Sequence, residues 1–171
     1  MNKALFLDRD GVINKEKNHL YKIEDFEFID GVFETCKKYS DEGFLIIVIT
    51  NQAGIAKGKY GEKDFSKLTE WMIKYFKEKN IIITKVYHCP HHPDYSGICS
   101  CRKPKSGMLL SAKKEFDINM AKSILIGDKE SDIEAGINAG VGKNILVRSG
   151  HKVDENNSKA DYIINSIKEL K

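Results

Sequence analysis

The sequence predicts an α/β fold, a central parallel sheet flanked by helices, on three observations. Short apolar runs of strand length alternate with segments that repeat their apolar residues at helical spacing. Glycine stands where helical segments stop. Polar residues, several of them acidic, stand at the ends of three apolar runs.

Ala4–Leu7 (ALFL) is the first expected strand, too short for a helix and closed by Asp8. Val32–Glu42 follows as a helix, and Asp41–Gly43 ends it with the glycine that a left-handed cap favours. Phe44–Ile49 (FLIIVI) is the second strand. Glu62–Lys79 has the clearest helical pattern: Phe65, Leu68, Met72, Tyr75 and Phe76 share one face, and lysines and glutamates fill the other. Ile81–Cys89 is a third strand and Gly107–Phe116 a helix. Ser123–Gly127 is the fourth strand, and Ser131–Ala139 a helix that Asn138–Gly142 closes. Asn144–Val147 and Asp161–Ile164 complete the strands, and Ile164–Leu170 is expected as a last helix. Apolar runs without alternation suit parallel strands covered on both faces. His151–Asp161 (HKVDENNSKAD) is polar and is expected to be a surface loop. Without repeats, low-complexity tracts or a linker, residues 1–171 are expected to form one domain.

Composition narrows the partners. The 171 residues are 41% hydrophobic and 31% charged with net charge +3, ordinary for a globular protein and too weakly basic for a dedicated nucleic-acid binder. No apolar run reaches membrane-spanning length. The opening MNKALFLDRDG is too short in apolar residues for a signal peptide. A cytoplasmic protein with reduced thiols is expected, acting on a small molecule as a monomer, without nucleic-acid or membrane partners.

Three strands end in chemically useful groups: LFLDRDGVIN with Asp8 and Asp10, IVITNQAGIAKG with Thr50 and Asn51, and ILIGDKESD with Asp128 and Asp132. Open parallel sheets bind ligands at the carboxyl ends of their strands, so the fold would bring these segments together. Carboxylates on neighbouring strand ends repel unless a cation lies between them, and a set of hard oxygen donors suits Mg²⁺ with a phosphate oxygen. Asp8 and Asp10 could then act as nucleophile and proton donor, Thr50 and Asn51 could donate to a phosphoryl group, and Lys103 could neutralise it. Singly, these residues are ordinary turn or cap residues and a surface lysine; their order along one chain carries the reading.

DRDGVIN, ITNQAGIAKG, CRKP and GDKESD together resemble the four motifs of the haloacid dehalogenase-like (HAD) phosphatases, spread from Asp8 to Asp132. The resemblance implies a Rossmann-like HAD fold. It implies Asp8 as the nucleophile that becomes an aspartyl-phosphate and Asp10 as the acid and then base. Thr50 would hold the phosphoryl group, Lys103 would steady it, and Asp132 would support from behind. Mg²⁺ would be held by Asp8, the Asp10 backbone carbonyl and Asp128, with Lys129 at its edge. Coordination of Asp8 would keep it ionised while Asp10 carries a proton. Many members have threonine where Val12 follows the glycine, a position beyond the reacting groups.

Three of the four cysteines fall in CPHHPDYSGICSCRKP, where Cys89, His91, Cys99 and Cys101 read C-x-H-x₇-C-x-C. A Cys89–Cys99 disulfide would leave Cys101 over. Tetrahedral Zn²⁺ accounts for all four residues, with His92 the rival to His91. Such a zinc would be structural, shaping a loop with few apolar residues and aiming Arg102 and Lys103. Cys36 is expected as a packed core thiol.

The intervals from Asp10 to Thr50 and from Thr50 to Lys103 leave no room for a large cap domain. Within the superfamily, the chain resembles sugar bisphosphate phosphatases that carry a zinc loop. That resemblance implies substrate contacts from Glu16, Lys17, Asn18 and His19, from Thr50, Asn51, Gln52 and Ala53, and from Arg102 and Lys103. The EKNH loop departs from a glycine-containing form. Histidinol-phosphate phosphatases are the alternative. A nucleic-acid 3′-end phosphatase and a non-catalytic zinc-stabilised binding module stand further off.

Overall fold

The structure is a computed structural model that describes residues 1–171. One six-stranded parallel sheet forms its centre: β1 (Lys3–Leu7), β2 (Phe44–Asn51), β3 (Ile83–Cys89), β4 (Ile124–Gly127), β5 (Lys143–Val147) and β6 (Tyr162–Ile164). Their order across the sheet is β3-β2-β1-β4-β5-β6. The chain winds outward from β1 through β2 to β3, then returns to the other side of β1 for β4. That reversal leaves a crevice at the carboxyl ends of β1, β2 and β4, the position at which such sheets bind ligands.

Each strand contributes to two cores. Leu5 and Leu7 of β1 face a cluster with Ile46, Val48, Met72, Phe76 and Ile126, covered by α1 (Val32–Asp41) and α2 (Glu62–Glu78). Ala4 and Phe6 face the opposite cluster with Ile47, Ile49, Leu109, Leu125 and Ile133, covered by α4 (Gly107–Phe116) and α5 (Glu130–Asn138). A four-residue helix, α3 (Pro93–Ser96), lies in the cysteine loop. Burial on both faces explains the uninterrupted apolar runs. Cys36 is fully buried in the first cluster, as expected of a core thiol.

Two expectations shift. Strand β3 begins at Ile83, because α2 ends at Glu78 and Asn80 turns the chain at φ +60°. Ile164–Leu170 is not an α-helix. Ile164 ends β6, and a 3₁₀ turn at Ile167–Glu169 follows, with the Ser166 side chain accepting from the Lys168 N–H. Ile164, Ile167 and Leu170 recur every third residue, a spacing a 3₁₀ turn satisfies as readily as an α-helix. Of these, Ile167 is fully buried.

Candidate active site

Asp8 directly follows β1, Thr50 and Asn51 end β2, and Asp128 follows β4. Because β1 pairs with both β2 and β4, these ends are adjacent. Asp8, Asn51 and Asp128 form the floor of a cavity of about 510 Å³ that also takes in Asp10, Lys103 and Asp132, with Thr50 buried outside its lining. The donor oxygens of Asp8, Asp128 and Asp132 lie within 4.8 Å of one another.

Lys103 is the cation inside this cluster. Its Nζ lies 2.6 Å from Asp132 Oδ1 and 3.1 Å from Asp8 Oδ1, and donates to the Ile49 carbonyl at 2.9 Å. Burial works against its charge, but Asp132 and Asp8 outweigh it and raise its pKa. Asp132 Oδ2 accepts from the N–H groups of Asp128 and Lys129, both at 3.0 Å, and so secures the start of α5 as well as Lys103. Asn51 grips the Lys103 backbone from the other side. Its Oδ1 accepts from Lys103 N at 3.1 Å and its Nδ2 donates to Lys103 O at 3.3 Å.

The carboxylates outnumber their cations. Burial and the neighbouring Asp132 hold the Asp8 pKa well above its ordinary value, and the same two causes bring Asp128 to about 6. Asp10 goes the other way. Burial would raise it, but Arg9 beside it and hydrogen bonds from Asn14 and Gln52 lower it overall. In the metal-free chain the order is therefore opposite to the one expected for attack by Asp8. A divalent cation against Asp8 and Asp128 would correct the first half of that imbalance, so the donor set fits Mg²⁺. The floor is also tightly shaped: a Cβ on Gly11, at φ +88°, or on Gly150 would run into Asp128 Oδ2.

Around the mouth, Glu16, Asn18, His19, Gln52, Ala53, Arg102 and Lys129 line the cavity with Asn51. Lys17 does not. Its ammonium turns outward to the Asp25 carbonyl at 2.8 Å and to Glu27 at 3.4 Å, because Asn18 and His19 both take positive φ and turn the loop between them. The Asn51 side chain is engaged with Lys103 through its Oδ1 and one Nδ2 hydrogen, and the amide carries a second hydrogen at the cavity wall. Thr50 is buried, and its Oγ1 accepts from Gln52 Nε2 at 2.9 Å. Five lining residues lie outside the expected site: Lys57, Tyr60, Pro104, Ser131 and His151. His151 Nδ1 lies 2.7 Å from Asp128 Oδ2. Its position just past β5, the neighbour of β4, was the available signal. The loop it opens is therefore not surface alone.

Cys89, His91, Cys99 and Cys101 converge, with donor atoms within 4.8 Å of one another. Cys89 and Cys101 Sγ each lie 3.6 Å from Cys99 Sγ, close to the ~3.7 Å edge of a tetrahedron with ~2.3 Å Zn–S bonds, while Cys89 and Cys101 Sγ stand 2.7 Å apart and would separate by ~1 Å around an ion. His91 Nδ1 sits 3.3 Å from Cys101 Sγ. His92 is turned away and accepts from the Asp94 N–H at the start of α3. All four cysteines are free thiols. The loop reaches the active site through Arg102, whose Nη1 donates to the His91 carbonyl at 3.2 Å.

A parallel sheet with Asp8, Asp10, Lys103 and Asp128 at one crevice defines a HAD-like hydrolase, and a family model described as "HAD-hyrolase-like" matches residues 100–170. The chain is 55% identical over 150 residues to the D-glycero-alpha-D-manno-heptose-1,7-bisphosphate 7-phosphatase of Campylobacter jejuni, covering 88% of this chain and 85% of that one. It is 45% identical to the D-glycero-beta-D-manno-heptose-1,7-bisphosphate 7-phosphatase of Haemophilus influenzae, over 99% and 95% of the two chains. The chain belongs to this heptose-bisphosphate phosphatase family. A crystal structure of D,D-heptose 1,7-bisphosphate phosphatase from B. bronchiseptica, complexed with magnesium and phosphate, superposes with a TM-score of 0.84 over 97% of this chain and 94% of that one at 23% identity. The enzyme of the same name from Burkholderia thailandensis gives 0.67 at 20% identity, covering 98% and 94%. At these identities the likeness is one of fold. No helix is long and apolar enough to cross a membrane.

Proposed function

We propose that the chain removes the 7-phosphate of D-glycero-D-manno-heptose 1,7-bisphosphate through an aspartyl-phosphate on Asp8. The observation that carries this reading is the floor itself, with Asp8 3.1 Å from the Lys103 ammonium and within 4.8 Å of Asp128. The Asp8 carboxylate attacks phosphorus, and the bond from phosphorus to the C7 oxygen breaks. Asp10 gives that oxygen its proton, its pKa raised by the incoming phosphoryl dianion. Asp10 then takes a proton from the water that attacks the aspartyl-phosphate, freeing phosphate and restoring Asp8. Lys103 and the Thr50 hydroxyl hold the phosphoryl oxygens as charge builds on them. Asp8, the Asp10 carbonyl and Asp128 would hold Mg²⁺, with Lys129 at its edge. Bound there, the ion supplies charge neutralisation among the carboxylates and polarises a phosphoryl oxygen.

Cys89, His91, Cys99 and Cys101 hold a structural zinc that orients Arg102 toward the phosphate that stays on the sugar. Residues 1–171 act as one domain, with loop 89–101 in place of a lid and a cavity complete within one chain. Thiols used as metal ligands suit a cytoplasmic location.

The test is phosphate release, with added Mg²⁺, from both anomers of heptose 1,7-bisphosphate and from histidinol phosphate. Heptose bisphosphate should give the highest kcat/KM. Preference for histidinol phosphate would move the chain to the alternative enzyme, and no release from any ester would remove catalysis. Of the relatives, those named for the alpha anomer share 55% and 51% identity and those named for the beta anomer 42–45%. This supports testing the alpha anomer first.

A further inference from the structure

We propose that Arg9 and Gln52 are positioning residues that hold the Asp10 carboxyl in its one reactive orientation, with Gln52 tying that orientation to Thr50. The inference rests on the phosphatase reading above. Arg9 is a guanidinium only 1% exposed, inside the protein beside the cavity and outside its lining. Its Nη2 lies 3.1 Å from both oxygens of Asp10, and its Nε 3.3 Å from Oδ1. The same Nη2 donates to the Leu20 carbonyl at 3.0 Å, which fixes Arg9 to the end of the loop carrying Glu16 and His19. The Phe65 ring lies 5.9 Å from the guanidinium carbon. A buried charge with this many fixed partners is costly to keep unless its geometry is used.

Gln52, 3% exposed, completes the cradle. Its Nε2 donates to Asp10 Oδ2 at 3.0 Å and to Thr50 Oγ1 at 2.9 Å. Its Oε1 accepts from the Tyr60 hydroxyl and faces Arg9 Nη2 at 3.5 Å. Only one amide orientation satisfies these neighbours, because Arg9 can only donate and a carboxylate only accepts. The Thr50 oxygen thus receives a hydrogen bond from Gln52, while its own proton is held only by a long 3.4 Å contact to the Asn51 carbonyl, which a phosphoryl oxygen would replace. Asn14 Nδ2, at 2.9 Å from Asp10 Oδ1, closes the last side. A carboxyl held from three directions cannot rotate away from the leaving oxygen.

Leaving-group dependence separates positioning from general support. An alkoxide must be protonated as it departs, whereas p-nitrophenolate leaves readily without help. Gln52→Met and Arg9→Lys are compared with the unaltered protein on the sugar bisphosphate and on p-nitrophenyl phosphate, with added Mg²⁺. Thermal unfolding identifies any variant that fails to fold, and Gln52→Met alone then decides. For the sugar ester, kcat/KM should fall ~30-fold with KM moving less than ~3-fold, inside the ~10²–10⁴ that positioned proton transfer contributes. For the aryl ester the fall should be under ~3-fold, since proton transfer to that leaving group matters little. Equal losses on both esters, or no loss on either, overturn the inference while leaving the phosphatase reading intact. If the unaltered protein turns over neither ester, the reading and the inference fall together.

Discussion

The Lys103 ammonium lies 2.6 Å from Asp132 Oδ1, with both side chains 3% exposed. Asp132 is thus the counterion that sets where Lys103 points, while its other oxygen caps α5. Asp132→Asn should keep the caps but leave Lys103 with Asp8 as its single carboxylate partner. Breaking a buried pair this way costs ~3 kcal/mol or more, which denaturant unfolding will read. Turnover should fall at least ~10-fold, as expected when a charged group at the phosphoryl site is misplaced. Unchanged stability would mean the pair carries no net weight.

Asp8→Asn should abolish turnover and leave the fold intact, because an amide cannot form the acyl-phosphate. Circular dichroism and phosphate release together check this. Retained turnover would exclude Asp8 as the nucleophile.

Cys99→Ser should release zinc and weaken the grip on Arg102, since the His91 carbonyl that receives Arg102 belongs to the same loop. Elemental analysis should give less than one zinc per chain. Stoichiometric zinc in the variant would contradict the four-residue site.

Arg102→Ala should reduce turnover of the bisphosphate more than that of a sugar monophosphate. A contribution of ~1.5–3 kcal/mol from a charged hydrogen bond corresponds to ~10-fold or more in kcat/KM. Equal losses on the two substrates would count against contact with the phosphate that is not cleaved.

The floor also sets a pH dependence. Folding raises Asp128 from 3.8 to about 6 through burial and Asp132. At Asp128 the folded metal-free protein therefore holds more proton than the unfolded chain across that window. Its contribution to stability is fully present below pH 3.8 and is lost as pH rises toward 6. Added Mg²⁺ competes for the same ionised oxygens, so the rise in melting temperature on adding Mg²⁺ should grow from pH 5 to pH 7. Differential scanning fluorimetry with and without Mg²⁺ would show it. In Asp128→Asn the growth should be largely lost.

Much of the floor was legible because strand ends are legible. Asp8, Thr50 and Asp128 each close an apolar run, and parallel pairing of β1 with β2 and β4 makes such ends adjacent. Loop residues were harder. Lys17 lies between two predicted contacts, yet faces Asp25 and Glu27, because the turn at Asn18 and His19 depends on backbone angles that sequence spacing does not carry. Arg9 stands between two marked aspartates without a motif role to draw notice, although it is buried and paired. His151 belongs to a polar stretch whose composition argues for surface, and only the closeness of β5 to β4 brings it to Asp128. The last helix failed because three apolar residues at every third position do not distinguish a 3₁₀ turn from an α-helix.

The floor hangs on strand termini pinned by two cores, whereas Glu16, His19, Lys57, Arg102 and His151 at the rim ride on connecting segments. Exchanging rim residues therefore alters what is admitted without disturbing the hydrolytic machinery underneath. A lineage with this architecture can drift from one phosphorylated metabolite to another through short insertions and point changes, and a laboratory campaign to retarget it should randomise the rim and leave the strand termini alone.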